Sequence, residues 1–75
     1  MSVTDKVKTL LSIKDKKNIE LAEYFGMSPQ SMQNKLNRSS FSAEDLIKIS
    51  DFLDCELYFE IDNKKIQLEN KDIRK

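Results

Sequence analysis

Residues 18–36 read NIELAEYFGMSPQSMQNKL, two segments of helix-spaced apolar residues that break at Gly26. Glycine readily adopts the left-handed backbone conformation that ends a helix in a tight turn. The pair Ser28-Pro29 then offers a hydroxyl that can cap a second helix and a proline suited to the first helical position. The stretch therefore predicts two helices joined by a short turn, at about 18–25 and 29–37.

The second of these helices has an unusual outer face. Instead of the common mixture of glutamate and lysine, it carries the uncharged polar residues Gln30, Ser31, Gln33 and Asn34. Their amide and hydroxyl groups can donate and accept hydrogen bonds, as the edges of nucleic-acid bases do. Residues 28–41 contain no acidic residue. This face is typical of a surface that approaches nucleic acid, although small helical cores also carry such faces without any ligand.

Length and composition favour one small folded domain over residues 1–75. The chain has 39% hydrophobic residues, one glycine and one proline, a composition unlike that of disordered segments. With Cys55 as its single cysteine and no histidine, it lacks an internal disulfide and the usual zinc ligands. We expect a cytoplasmic protein without metal or cofactor. No secretion signal or long apolar span is visible, so we expect no membrane insertion.

Charge is distributed unevenly along the chain. The 13 basic and 13 acidic residues cancel overall. Residues 1–41 nevertheless hold seven basic and four acidic residues, a net charge of +3, so the remainder carries −3. The first part of the chain is therefore the part expected to face phosphates.

Two further helices are predicted on either side of this stretch. Apolar residues at near-helical intervals predict a helix at about 3–14: Val3, Val7, Leu10, Leu11 and Ile13. A capping-box-like start at Ser42 predicts another at about 43–54. The inward stripe expected for that helix consists of Leu46, Ile49, Phe52 and Leu53. The fold class is thus mainly α, with four helices.

The period changes to that of β-strands after the fourth helix, which predicts a hairpin at about 57–69. With Asn63-Lys64 as a two-residue turn, Ile61 would pair with Ile66 and Phe59 with Leu68; a longer loop is the alternative. The apolar residues would then share one face, which could cover the core, act as a wing on DNA or join two copies of the chain. The residues assigned to dimerisation are Leu57, Phe59, Ile61, Ile66 and Leu68.

The spacing Asn18-x-x-Leu21-Ala22-x-x-x-Gly26-Met27-Ser28-x-x-x-Met32, followed by Ile49-Ser50-x-x-Leu53, resembles the phage repressor and Cro-like helix-turn-helix family. The resemblance covers roughly residues 3–55. It implies a compact four-helix, lambda-repressor-like domain, here followed by the hairpin. It also implies a dimeric transcriptional regulator that places helix 29–37 in the major groove of a palindromic operator.

Residue roles follow from the family positions that match. Gln30 and Asn34 match the main base-reading positions, and Gln or Asn can bond adenine through two atoms. Ser31, Gln33 and Lys35 lie near the same surface and could reach bases or phosphates; of these, Ser31 and Gln33 are also assigned to base reading. Asn18 matches a residue that bonds a phosphate or braces a base-reading side chain. Phosphate contacts are assigned to Asn18, Ser28, Lys35, Asn37 and Arg38.

This chain departs from the family pattern at several positions. Pro29 stands where many relatives carry a base-reading polar residue, and Lys17 where they carry a capping side chain. Leu11 stands where relatives often place a phosphate-binding arginine, and Arg38 replaces a frequent glycine. The hairpin takes the place of the usual fifth helix, so the dimer geometry of the family does not transfer.

The sequence as a whole predicts a sequence-specific double-stranded DNA-binding transcriptional regulator, a repressor-like homodimer. No enzyme is expected, because histidine and a phosphate-binding glycine loop are both missing from the sequence. The alternative is a protein-interaction module, an adaptor or antitoxin-like partner that keeps the helix-turn-helix fold without specific DNA binding.

Overall fold

The computed structural model describes residues 2–73 and consists of four helices followed by a β-hairpin, which confirms the predicted lambda-repressor-like fold class. The helices are α1 (Val3–Ile13), α2 (Asn18–Phe25), α3 (Pro29–Arg38) and α4 (Ala43–Phe52). The strands are β1 (Leu57–Ile61) and β2 (Lys64–Leu68), and a 3₁₀ turn follows at Asn70–Asp72. None of the helices in residues 2–73 is long and apolar enough to span a membrane.

The chain divides into two compact units at the point where its charge changes sign. The first unit runs to Phe41 and contains α1 to α3; the second starts at Ser42 and contains α4 and the hairpin. The first therefore carries the net charge of +3 and the second the charge of −3.

Buried residues from three helices form the core of the first unit. Leu21, Ala22 and Met32 are 0% exposed. On α1 the buried stripe includes Thr4, a polar residue, and the exposed side chains include Val3, Leu10 and Ile13. The apolar residues of α1 thus predict its existence but only part of its buried face. The buried residues of α1 are Thr4, Val7 and Leu11.

Helix α4 opens the second unit with the predicted cap. The Ser42 hydroxyl accepts a hydrogen bond from the Asp45 N–H at 3.1 Å, and the Asp45 carboxylate accepts one from the Ser42 N–H at 3.0 Å. The helix ends at Phe52, two residues before the expected end, because Asp54 adopts a left-handed φ of 54°. The buried side chains are Ile47, Ile49 and Leu53, whereas Leu46 and Phe52 are half-buried.

The hairpin register differs from the predicted one by two residues. Phe59 pairs with Ile66 and Leu57 with Leu68, and the turn is Asp62-Asn63 rather than Asn63-Lys64. Both turn residues have positive φ, 51° and 64°, as a type I′ turn requires. Asp and Asn tolerate that conformation and Lys does not, which explains the correction. A shift by two keeps the apolar residues on one face.

Candidate nucleic-acid interface

The link between α2 and α3 is a closed turn centred on Gly26. Its φ is 70°, and its N–H bonds to the Glu23 carbonyl at 3.0 Å, while the Met27 N–H bonds to the Ala22 carbonyl at 3.0 Å. This pair of bonds satisfies carbonyls at the end of α2. Apart from Gly26 and its two chain neighbours, no heavy atom of the described residues lies within 4 Å of the position a Cβ would take. Glycine is therefore needed here for its backbone conformation and not for space.

Helix α3 begins with a side-chain cap followed by a proline. The Ser28 hydroxyl accepts a hydrogen bond from the Ser31 N–H at 3.1 Å and donates one to the Ser31 hydroxyl at 3.0 Å. Pro29 occupies the first turn, where its missing N–H removes no helical bond. To donate a hydrogen bond to a phosphate, the Ser28 hydroxyl would have to give up the bond that it now donates to Ser31. The Ser31 hydroxyl keeps its own proton as a donor.

Helical geometry separates α3 into a buried stripe and an opposite exposed face. Met32 and Leu36 form the stripe and are 0% and 1% exposed. At about 100° per residue, Asn34 lies opposite that stripe, with Gln30 and Arg38 on either side of it. All three side chains are exposed. This face, defined by Gln30, Asn34 and Arg38, is called the α3 outer face below.

Two amides of the α3 outer face are joined by a hydrogen bond. The side-chain N–H of Gln30 donates to the Asn34 side-chain oxygen at 3.2 Å, one helical turn away. The bond uses one of two N–H groups of Gln30 and leaves its oxygen as an acceptor; Asn34 keeps both its N–H groups as donors. Donor and acceptor groups of the pair are thus held one turn apart on an exposed surface.

Gln33 lies at one border of this face and is braced from two sides. It is half-buried; its side-chain N–H donates to Asn37 at 2.9 Å, and its side-chain oxygen accepts from the Asn18 amide at 3.5 Å. Asn18 begins α2, so this contact links the first residue of α2 to the middle of α3. The structure brings these three predicted residues together and gives Asn18 the geometry of a brace.

Lys35 lies at the opposite border and bonds within the protein. Its side chain is half-buried, and its ammonium group donates to the Ser40 carbonyl at 3.0 Å. Arg38, by contrast, is exposed. Both belong to an open groove of about 280 Å³ beside the α3 outer face. The residues lining this groove are Met27, Ser31, Asn34, Lys35, Arg38 and Ser40.

A buried hydroxyl that sequence reasoning missed fixes the far end of α3. Thr4 is 8% exposed, and its hydroxyl donates to the Leu36 carbonyl at 2.6 Å. The same oxygen lies 2.7 Å from the Ser39 hydroxyl, and since the Thr4 proton is already used, Ser39 is the donor. Thr4 is separated along the chain from Leu36 by 32 positions and from Ser39 by 35. No local sequence signal could therefore reveal the contact.

A second groove, also missed, gathers basic residues around the start of α2. It has a volume of about 400 Å³ and is lined by Lys8, Leu11, Ser12, Asp15, Lys16, Lys17 and Asn18, so one acidic residue lies among the three lysines. The lysines are visible in the sequence, but their spacing alone does not distinguish a groove from a solvated helix face. Leu11, where relatives often carry arginine, is buried and cannot take that role.

The predicted site residues fall into two groups. Those assigned to DNA lie on α2, on α3 and at its Ser28 cap, all in the first unit, and those assigned to dimerisation belong to the hairpin in the second. Within the hairpin group, Leu57 and Leu68 are half-buried and the other three are exposed.

Comparison with protein families matches residues 3–59 to the bacteriophage CI repressor helix-turn-helix domain. The matched range spans α1 to α4 and part of β1. No curated protein and no solved structure matches the chain. Regulators of this family are typically not enzymes. Because the match covers most of the sequence, the chain belongs to the bacteriophage CI repressor helix-turn-helix family of DNA-binding transcriptional regulators.

Proposed function

We propose that this protein is a repressor-like homodimer that binds double-stranded DNA sequence-specifically, with α3 in the major groove of each half of a palindromic operator. One observation carries the proposal: the α3 outer face is exposed, free of acidic residues and built around the bonded amides of Gln30 and Asn34. A solvated helix face would normally mix charges of both signs.

The chemistry of the amide pair favours adenine. Adenine presents an N7 acceptor and an N6 donor in the major groove, and a side-chain amide matches both atoms. Gln30 can offer its oxygen, and Asn34 its N–H groups, without breaking the bond between them. We expect these two residues to read A·T pairs. Ser31 and Gln33 lie beside them and are assigned supporting contacts, Gln33 in the orientation that Asn18 holds.

Phosphate contacts are assigned to the polar and basic groups around that face. Arg38 and Asn37 are exposed near the end of α3, and Ser28 and Lys35 flank it. To the predicted set we add Lys8, Lys16 and Lys17 of the groove beside Asn18, which also contains Asp15. The net charge of +3 on the first unit supports approach to the DNA backbone.

Two copies are proposed because a single reading helix contacts few base pairs. Regulators of this architecture bind as dimers to two half-sites about 34 Å apart, or a multiple of that distance. The operator would then mirror the two-fold symmetry of the protein. Such a role would place the protein in the cytoplasm, with the DNA.

Selection from a pool of random duplexes tests the proposal. We expect the bound fraction to contain a palindromic motif with A·T pairs in each half, and we expect the affinity to fall steeply as salt rises, since phosphate contacts release counterions. A parallel selection with the Gln30→Ala variant is the comparison, and the motif should be more abundant among the duplexes that the wild-type protein binds.

Absence of any enriched motif, together with an affinity unchanged by salt, would contradict the proposal. The protein-interaction module would then be the better account, with the helix-turn-helix fold kept and the α3 outer face merely solvated.

A further inference from the structure

The two faces of the hairpin differ in chemistry. The register places Phe59, Ile61 and Ile66 on one face, here called the hairpin apolar face, together with Lys64 at the turn. Toward the open end, this face continues into the half-buried pair Leu57 and Leu68. The opposite face carries polar and amphipathic side chains, namely Tyr58, Glu60, Lys65 and Gln67.

Near the turn, the exposure of the hairpin apolar face is not what a core lid requires. Phe59 is 68% exposed, Ile61 62% and Ile66 59%. On the polar face, Tyr58 is only 39% exposed, and the Lys65 ammonium lies 4.6 Å from the centre of its ring. A hairpin that only covered the core of its own chain would turn its apolar residues inward. These three apolar side chains are thus left largely uncovered by the residues the structure describes.

The size of the hairpin apolar face indicates how strong an interface it can form. Three side chains at these exposures offer on the order of 300 Å² of apolar surface per copy. A standard interface buries about 800 Å² per partner, of which roughly 450 Å² is apolar. The face therefore supplies most, but not all, of what a stable dimer needs. A weak association is expected.

A second copy of this chain is the occupant that the face fits. Two hairpins stacked face to face form a small two-layer sandwich, which buries the apolar side chains of both and leaves the polar faces in water. Such stacking also supports a two-stranded hairpin, which is only marginally stable alone. Pairing along a strand edge would instead leave Phe59, Ile61 and Ile66 exposed and join two such patches into a larger one.

We propose that two copies of the protein associate by packing their hairpin apolar faces against each other. This inference deepens the proposed function, which calls for two copies but does not say where they meet. The dissociation constant should be on the order of 10–100 µM, as fits a small apolar interface.

Sedimentation equilibrium without DNA, from about 1 µM to about 1 mM protein, tests the interface. The wild-type chain should pass from monomer to dimer over this range. Phe59→Glu should weaken the dimer at least about thirtyfold, since a carboxylate would be buried in the apolar interface. Tyr58→Glu, the same charge at the neighbouring position on the polar face, should leave it unchanged. Circular dichroism establishes that each variant is folded, and Ile66→Lys replaces Phe59→Glu if that variant is not.

Three results would overturn the inference: a wild-type monomer at every concentration, a dimer that Phe59→Glu leaves intact, or equal losses in Phe59→Glu and Tyr58→Glu. The DNA proposal is judged separately, from binding of the folded Phe59→Glu variant to a duplex with one half-site. A variant that is monomeric yet still binds the half-site supports both proposals. A variant that is monomeric and does not bind it contradicts the DNA proposal while leaving the interface standing.

Discussion

At the residue scale, the sequence predicts which side chains of α3 face outward, because helical periodicity alone determines this. Once the helix is placed, the positions of Met32 and Leu36 determine which side chains face outward. Gln30 and Asn34 therefore lie where the sequence predicts. The contact of Thr4 with Leu36 is different, because it depends on how α1 and α3 pack. A threonine among valines and leucines gives no sign that its hydroxyl is needed inside.

Thr4 provides a stability prediction at this scale. Thr4→Val keeps the shape of the side chain but removes the buried hydroxyl that donates to the Leu36 carbonyl and accepts from the Ser39 hydroxyl. The carbonyl then keeps the Ser39 N–H, at 3.2 Å, as a donor. We expect the free energy of unfolding to fall by about 1–2 kcal/mol. Thr9→Val is the matched control on the same helix, since Thr9 bonds the Asp5 carbonyl at an exposed position. Urea unfolding measures both, and equal losses in the two variants would argue against a structural role for the buried hydroxyl.

At the element scale, helix starts are clearer in the sequence than helix ends. Ser28 and Ser42 are recognisable in the sequence as N-caps of α3 and α4, and the side chain of each accepts a hydrogen bond from a backbone N–H of the first turn. Of the left-handed residues that follow the helices, only Gly26 is a glycine; the others are Asp15, Ser39 and Asp54. Aspartate and serine are common in ordinary surface positions, so they give little warning of a helix end. This explains why α4 ends earlier than its sequence suggests.

The hairpin turn yields a prediction about register. Because Asp62-Asn63 is the turn, Asn63→Gly should stabilise the hairpin by about 0.5–1 kcal/mol, since glycine adopts positive φ without strain. Lys64→Gly should destabilise it by a similar amount, because Lys64 lies within β2. Urea unfolding followed through the amide resonances of β1 compares the two. Stabilisation by Lys64→Gly and not by Asn63→Gly would restore the register expected from sequence.

At the scale of the whole molecule, the uneven charge distribution can be seen in the sequence, and the fold shows which helices the basic part contains. The change from net +3 to net −3 falls at the boundary between the two units, so the basic unit is also the one that holds α2 and α3. The exposure of the hairpin could not be foreseen, because alternation shows that a strand has an apolar face but not what covers it. A lid and a dimer interface give the same sequence pattern.

The central claim is that the α3 outer face reads DNA sequence. It is tested most directly by binding isotherms on the selected duplex and a scrambled duplex, over a series of salt concentrations. Gln67→Ala, an equivalent truncation on the polar face of the hairpin, is the control and should leave binding unchanged.

Gln30→Ala should lose about 1–3 kcal/mol on the selected duplex and almost nothing on the scrambled one, because it removes a base contact. Arg38→Ala should weaken both duplexes alike and lower the slope of log affinity against log salt by about 1, because it removes a phosphate contact. Equal, sequence-independent losses in both variants would contradict the account.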